Sequence, residues 1–154
     1  MAYPNLDAEL VNALLDDGRA SLRGLGEDLD VSVTTVSNHL QDLKEAGRIQ
    51  GFVPVIDYDA WGYDTQAIIN ITVEGSELTE FTDRLEDHEN IISIFETTGD
   101  FDVVAIGVFE DTDHMNDEIK SLLDDDAVQD TNTNVVLNSV RNHEQFDIPV
   151  DDSE

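Results

Sequence analysis

Three helical hydrophobic stripes precede residue 50. After Leu6-Asp7, the residues Leu10, Val11 and Leu14 share one face, with Asp7 as the expected N-cap and Gly18 as the stop. Ser21 is placed to cap a second helix with Leu22, Leu25 and Leu29 inward. Gly24 and Gly26 each disfavour that helix by about 1 kcal/mol relative to alanine, so packing rather than propensity must hold it. Asp30-Val31 reads as a tight turn. Beyond it Ser32 is an expected N-cap, and Val33, Val36, Leu40 and Leu43 recur at spacings of 3, 4 and 3. The opposite face carries Thr34, Thr35, Ser37, Asn38 and Gln41, and Gly47 supplies the C-terminal stop. Taken alone, the third stripe fits either a plain amphipathic surface helix or the reading helix of a helix-turn-helix; the two shorter helices ahead of it favour the second.

The pattern then changes period. Ile49 to Ile56 reads as an extended pair or wing, with Pro54 at an edge. Asp57 to Gly62 is a turn-rich hinge in which Trp61 is expected to pack. Ile69, Ile71 and Val73 alternate with polar residues as a half-buried strand. Leu78, Phe81 and Leu85 mark a helix with Ser76 as its cap, Ile91 to Thr98 a second strand, and Gly99-Asp100 a turn. Val103 to Phe109 is continuously apolar, as in a strand covered on both faces. Met115, Ile119 and Leu122 mark another helix, and Thr133 to Val140 a last strand. The order βαββαβ predicts an α+β chain: an N-terminal winged helix-turn-helix followed by a ferredoxin-like αβ-sandwich. The expected divisions are 1–56 for the helix-turn-helix, 57–64 for the hinge, 65–146 for the second domain, and 147–154 for a loose acidic tail. Two helices cover only one side of a four-stranded sheet, so a symmetric homodimer through the second domain is expected.

Charge qualifies this picture. The 154 residues carry 36 acids against 7 Lys/Arg, a formal net charge of −29, yet 40% are hydrophobic and the periodic segments run almost throughout, so the chain is expected to fold. Residues 1–60 hold 11 acids and 4 bases, and residues 61–154 hold 25 and 3, so the N-terminal part is much the less acidic. Such a surface suits either a protein of molar salt, of the haloarchaeal type, or one with basic partners; the scatter of the acids over faces and turns favours the first. With no cysteine there is no disulfide or thiolate ligand. No apolar run reaches the roughly 20 residues of a membrane span, and no secretory signal opens the chain, so a soluble cytoplasmic protein is expected.

The residues Leu6-Asp7, Asp17-Gly18-Arg19, Ser32 to Leu43, Glu45-Ala46-Gly47-Arg48-Ile49-Gln50-Gly51-Phe52 and Gly99-Asp100-Phe101-Asp102 fall in the order and spacing of a known family. Over residues 5–145 the chain resembles the Lrp/AsnC (feast/famine) transcriptional regulators. The resemblance implies double-stranded DNA as a partner, dimers by sheet-to-sheet packing assembled further into tetramers or octamers, no cofactor, and a small effector, commonly an amino acid. The effector would bind near Thr98, Gly99, Asp100, Phe101 and Asp102 at a dimer–dimer contact, with Thr131 and Thr133 as further candidates; those threonines read equally as ordinary edge-strand residues, and Asp100 as a turn former. On DNA the resemblance points to Ser32, Thr34, Thr35, Ser37, Asn38, His39 and Gln41, with Arg23 and Arg48 as backbone contacts. His39 either substitutes for an arginine or simply faces solvent.

Family reading helices usually place arginines where this one has Asn38, His39, Gln41 and Asp42. Salt bears on that difference, because 6–10 phosphate contacts lose about 10³–10⁵-fold in affinity between 50 and 200 mM salt. In molar salt, hydrogen bonds and shape must carry recognition, and Asn38 and Gln41 suit adenine edges. His88, His114 and His143 read as separate surface residues without metal-ligand spacing, and Asp124-Asp125-Asp126 as a solvated helix end or a weak cation site. Two other functions share the architecture: a sensor or assembly protein without DNA binding, and a sirohaem decarboxylase. The enzyme needs basic groups for an anionic tetrapyrrole, and residues 61–154 offer only Arg84, Lys120 and Arg141 among 25 acids. No enzyme is expected.

Overall fold

Helix α1 (Leu6–Asp16) buries Leu6, Leu10 and Leu14 along one stripe. Leu25 of α2 (Leu22–Leu29) and Val36 and Leu43 of α3 (Val33–Glu45) complete that core, so three short helices hold one another by packing. The structure is a computed structural model and describes residues 3–152. Two compact units divide it, the first running to Val55 and regaining the chain from Arg141 onward, the second spanning Ile56–Val140.

In the first unit the caps of α2 and α3 are as expected: Ser21 Oγ accepts from the Gly24 N–H at 2.9 Å, and Ser32 Oγ from the Thr35 N–H at 3.1 Å. Asp30 makes the turn in the left-handed region at φ 56°, which a short polar side chain tolerates. Gly47 ends α3 at φ 70°, where the Arg48 N–H reaches back to the Leu43 carbonyl. Four expectations change. The N-cap of α1 is Asn5, not Asp7, and its side chain makes no capping bond. Leu22 and Val33, both in first turns, are exposed rather than inward. Residues 50–57 form neither helix nor strand: Pro54 lacks a donor, and no strand among the described residues pairs with the segment. The expected loose tail is hydrogen-bonded: Asn12 Nδ2 donates to the Ile148 carbonyl at 2.9 Å and its Oδ1 accepts from the Ile148 N–H at 2.7 Å, and Asn5 binds the main chain of Asp151 in the same way, at 2.9 and 3.3 Å.

The second unit has the expected order. β1 (Thr65–Val73), α4 (Leu78–Glu86), β2 (Ile91–Glu96), β3 (Val103–Phe109), α5 (Thr112–Leu123) and β4 (Val128–Val135) build an antiparallel sheet of order β2-β3-β1-β4. β1 runs longer than its apolar alternation suggested because it is central, paired on both sides. Its residues 65, 67, 69, 71 and 73 face the helices, where Ile69, Ile71, Phe81, Leu85, Val103, Ala105, Phe109, Met115 and Leu122 form the core. Gly75–Glu77 is a 3-10 turn that takes the place of the expected Ser76 cap. β3 divides its apolar run between faces: Val103, Ala105 and Phe109 are buried, while Val104 and Ile106 are half-buried on the side that α4 and α5 leave open. Ile68 and Phe95 lie on that same open face, 37% and 52% exposed. Trp61 does not pack the hinge; it ends a 3-10 turn before Gly62 (φ 87°) with 75% of its surface exposed.

Candidate DNA-reading and effector sites

The packing of α3 sorts its polar residues into free and committed. With Val36 and Leu43 buried, Thr34, Ser37 and Asn38 turn outward, exposed and without a side-chain partner among the described residues. Gln41 is exposed too, its Nε2 donating to Glu45 Oε1 at 2.9 Å along the helix. These four share the face a groove would meet. Ser32 and Thr35 stand at its edge, bound to each other (Oγ to Oγ1, 2.8 Å) while Ser32 caps the helix.

His39 departs from the expected outward placement. Its Nδ1 lies 2.8 Å from Asp7 Oδ1; a carboxylate accepts, so this nitrogen carries the proton and the ring is turned toward α1. Tyr3 meets the ring edge-on. Arg48 Nη1 lies 3.5 Å from the other oxygen of Asp7. The expected capping aspartate thus gathers two of the expected DNA contacts, because positions 39 and 48 both face the start of α1. Arg23 pairs with Glu27 at 3.2 Å, although both side chains are largely exposed and such a pair exchanges readily for a phosphate. Sequence reasoning missed Arg19, which is exposed in the α1–α2 turn with no side-chain partner among the described residues, and Lys44, whose ammonium lies 5.8 Å from the Phe52 ring centre. Their only signal was position within the less acidic N-terminal part, residues 1–60.

At the expected effector turn, Thr98, Gly99 and Asp100 are exposed, and Gly99 has φ 106°, which side chains avoid. Thr97 braces the turn, its N–H donating to the Asp102 carbonyl and its hydroxyl to that of Phe101, each at 2.9 Å. Asp102 differs from expectation. Its Oδ2 accepts from the Val73 N–H at 2.9 Å and its own N–H donates to the Ile71 carbonyl at 3.0 Å, so it pins the turn to the end of β1 and keeps one carboxylate oxygen spare. Thr131 pairs with Ile71 and Thr133 with Ile69, so both point to the helix side, one strand beyond β1 from the turn. Two strand spacings put Thr131 about 10 Å from β3. The structure brings the turn and Thr131 to one end of the sheet and leaves Thr133 further in.

An open cavity of about 500 Å³ lies at the other end, lined by Tyr58, Tyr63, Glu89, Asn90, Glu110 and His114 among others; none of the expected effector residues lines it. Nearby, His88 and His114, expected to be separate, both approach Glu118, at 3.4 and 3.9 Å. Helical spacing sets His114 beside Glu118, four residues on, and chain folding brings His88 to the same carboxylate. Among the described residues no group of three such side chains is placed to hold a metal ion, and no helix is long and apolar enough to cross a membrane.

Comparison with known proteins covers both units. Residues 5–50 match the model of a winged helix-turn-helix DNA-binding family, and residues 66–146 that of the Lrp/AsnC ligand binding domain. An uncharacterized HTH-type transcriptional regulator of Pyrococcus horikoshii is 35% identical over 141 residues, 92% of this chain and 95% of the relative. Among solved structures, the feast or famine regulatory protein from M. tuberculosis complexed with L-methionine superposes with a TM-score of 0.88 at 26% identity, covering 96% of this chain and all of that one. E. coli AsnC superposes with a TM-score of 0.83 at 23% identity, over 92% of this chain and 96% of that one.

Proposed function

The chain belongs to the Lrp/AsnC family of DNA-binding transcriptional regulators, and from that premise we propose that it reads operator DNA through Thr34, Ser37, Asn38 and Gln41 and answers to an amino-acid effector held at the Thr98–Asp102 turn. The family and the relatives are regulators, not enzymes. The carrying observation is the row of exposed polar side chains on α3, three of them unpartnered, backed by a packed core. Buried hydrogen-bonding groups would be unavailable to DNA, and charged ones would lose their value with salt. Arg19 and Arg23 are the phosphate contacts in this reading, and Ser32, Thr35, His39 and Arg48 hold the helix in place. The M. tuberculosis relative's complex with L-methionine supports an amino-acid effector. Thr98, Gly99, Asp100, Phe101 and the spare oxygen of Asp102 then form the contact, with Thr131 beside them.

Two further elements belong to the reading. The open face with Ile68, Phe95, Val104 and Ile106 pairs two chains as a dimer, on which tetramers or octamers build. The charge of −29 adapts the surface to molar salt in the cytoplasm, where solvated carboxylates keep the chain dispersed.

The test is binding of the purified chain to its own upstream DNA from about 0.2 M to about 3 M KCl, with folding followed in parallel by circular dichroism. Specific binding that survives at the upper end is expected, together with loss of structure on dilution. A folded dimer that binds at no salt concentration would leave the sensor reading in its place, and full stability in dilute buffer would remove the salt adaptation. Asn38→Ala is expected to weaken discrimination at one base pair by about 1–3 kcal/mol without unfolding the helix; an unchanged footprint would take Asn38 out of the reading face.

A further inference from the structure

The open cavity of about 500 Å³ lies wholly within the unit Ile56–Val140 and takes no part in the DNA-reading face or the Thr98–Asp102 turn. Its volume falls in the range of small-molecule sites, roughly 300–1,000 Å³. Acids in its lining would mean little by themselves in a chain that has 36 of them. Here they stand with two phenol rings and an apolar surface.

Local folding builds the lining. The Tyr58 carbonyl accepts from the Trp61 and Tyr63 N–H groups, at 2.9 and 3.0 Å, and Gly62 turns between them at φ 87°. That tight turn brings both Tyr58 and Tyr63 to the cavity. Asn90 holds the start of β2 to the end of β3: its Nδ2 donates to the Val108 carbonyl and its own carbonyl accepts from the Val108 N–H, each at 2.8 Å. Ile92 and Val108 supply the apolar surface there, and α5 contributes His114 and Glu118.

Charge decides what can enter. Glu89, Glu110 and Glu118 line the cavity, and no lining residue is lysine or arginine. Glu89 and Glu110 have no side-chain partner among the described residues. Glu118 meets His88 at 3.4 Å and His114 at 3.9 Å. His114 Nδ1 accepts from the Glu110 N–H at 3.3 Å, and in that tautomer the ring is uncharged. A free amino acid would therefore set its carboxylate among three others. An ammonium group finds carboxylates to donate to, tyrosine faces that attract cations, and apolar surface for a methylene stem. A bare metal ion fits poorly, since among the described residues no three such side chains are placed to hold one. Carboxylates that do not converge on one point suit cationic groups separated by a chain.

We propose that this cavity is a second small-molecule site, apart from the Thr98–Asp102 turn, and that it takes an aliphatic diamine or polyamine. Glu110 and Glu118 accept from its ammonium groups, and Tyr58 and Tyr63 cover its stem. The site belongs to the sheet unit and does not rest on the DNA reading.

The experiment titrates the full chain by calorimetry with cadaverine and with lysine, which is cadaverine carrying a carboxyl group. In about 1 M KCl the screening length is about 3 Å, which suppresses the diffuse attraction of a chain of net charge −29 for any cation. Saturable binding of one cadaverine per chain is expected, with lysine about tenfold weaker or more, because its carboxylate meets like charge. Glu110→Gln and Glu118→Gln should each weaken cadaverine about tenfold, as loss of a charged hydrogen-bond partner does. Tyr58→Leu should weaken it as well. Glu80→Gln, an exposed acid of α4 outside the cavity, should leave it unchanged. Circular dichroism checks each variant, and the exposed Glu110 decides the matter if another substitution unfolds the sheet unit. Absence of saturable binding would remove the site. An equal loss in Glu80→Gln would reduce it to attraction by the whole surface, and lysine binding as tightly as cadaverine would overturn the selection for a carboxylate-free amine.

Discussion

Gly26→Ala is expected to destabilise the DNA-binding unit by about 1–3 kcal/mol, with operator affinity falling alongside. On helix propensity alone the change should help, since alanine is favoured over glycine by about 1 kcal/mol. Packing reverses the sign. A Cβ on Gly26 would stand 2.8 Å from the Val31 carbonyl oxygen and 3.6 Å from backbone atoms of Ser32 and Val33, the turn that launches the reading helix. Backbone cannot rotate aside as a side chain can, and the Gly26 carbonyl itself accepts from the Val31 N–H at 2.9 Å. Relief therefore requires α3 to move away from α2. Gly24→Ala is the control, since its Cβ would meet only the Ser21 hydroxyl, at 3.0 Å. Urea unfolding followed by circular dichroism, beside DNA binding, reads both variants. A Gly26→Ala chain as stable as the parent would mean that the turn yields freely and that glycine is not required there.

Ile106→Glu should convert the proposed dimer to single chains of 17.1 kDa. Ile106 pairs with Ile68 across β3 and β1 on the face the helices leave open, with Val104 on the same side. In a dimer closed over this face each glutamate would be buried beside its symmetry mate with no cation near. An unpaired buried charge is strongly destabilising, by several kcal/mol per ion. In a monomer the same glutamate faces water, so the fold should survive. Light scattering across a concentration series distinguishes the cases. A mass that stays at two chains would move the interface elsewhere, and a single-chain mass for the parent would remove the dimer altogether.

The sequence announced whichever elements repeat. Val36, Leu40 and Leu43 betray α3 because a helix must put its apolar residues on one side, and the alternation of Ile69, Ile71 and Val73 betrays β1 for the corresponding reason. The polar front of α3 was legible on the same grounds. Its commitments were not. The Asp7–His39 bond joins residues 32 apart and the Asp102–Val73 bond residues 29 apart, and neither follows a period. An aspartate that reads as a helix cap, as Asp7 does, or as an effector contact, as Asp102 does, turns out to tie two segments together. The hydrogen bonds that join α1 and its N-cap to the last described residues were least legible of all: Asn5 and Asn12 look like ordinary surface residues, and what they bind is the main chain of Asp151 and Ile148, which no side-chain pattern announces. The unpaired segment 50–57 followed from the reverse error, in which a β-prone composition suggested strand pairing and no described residue pairs with it.

The hydrogen bonds that join Asn5 to Asp151 and Asn12 to Ile148 also set an order of events during synthesis. The three helices leave the ribosome before the sheet, and the residues that clamp Asn5 and Asn12 follow 146 and 136 positions later. At about 5–20 residues per second, the outer face of α1 waits roughly 7 to 30 s for its own chain to arrive. Over that interval β1, β2, β3 and β4 emerge and the sheet can close. The helical unit is thus started before the sheet and finished after it, and a product of translation that stops before residue 148 carries it unclamped.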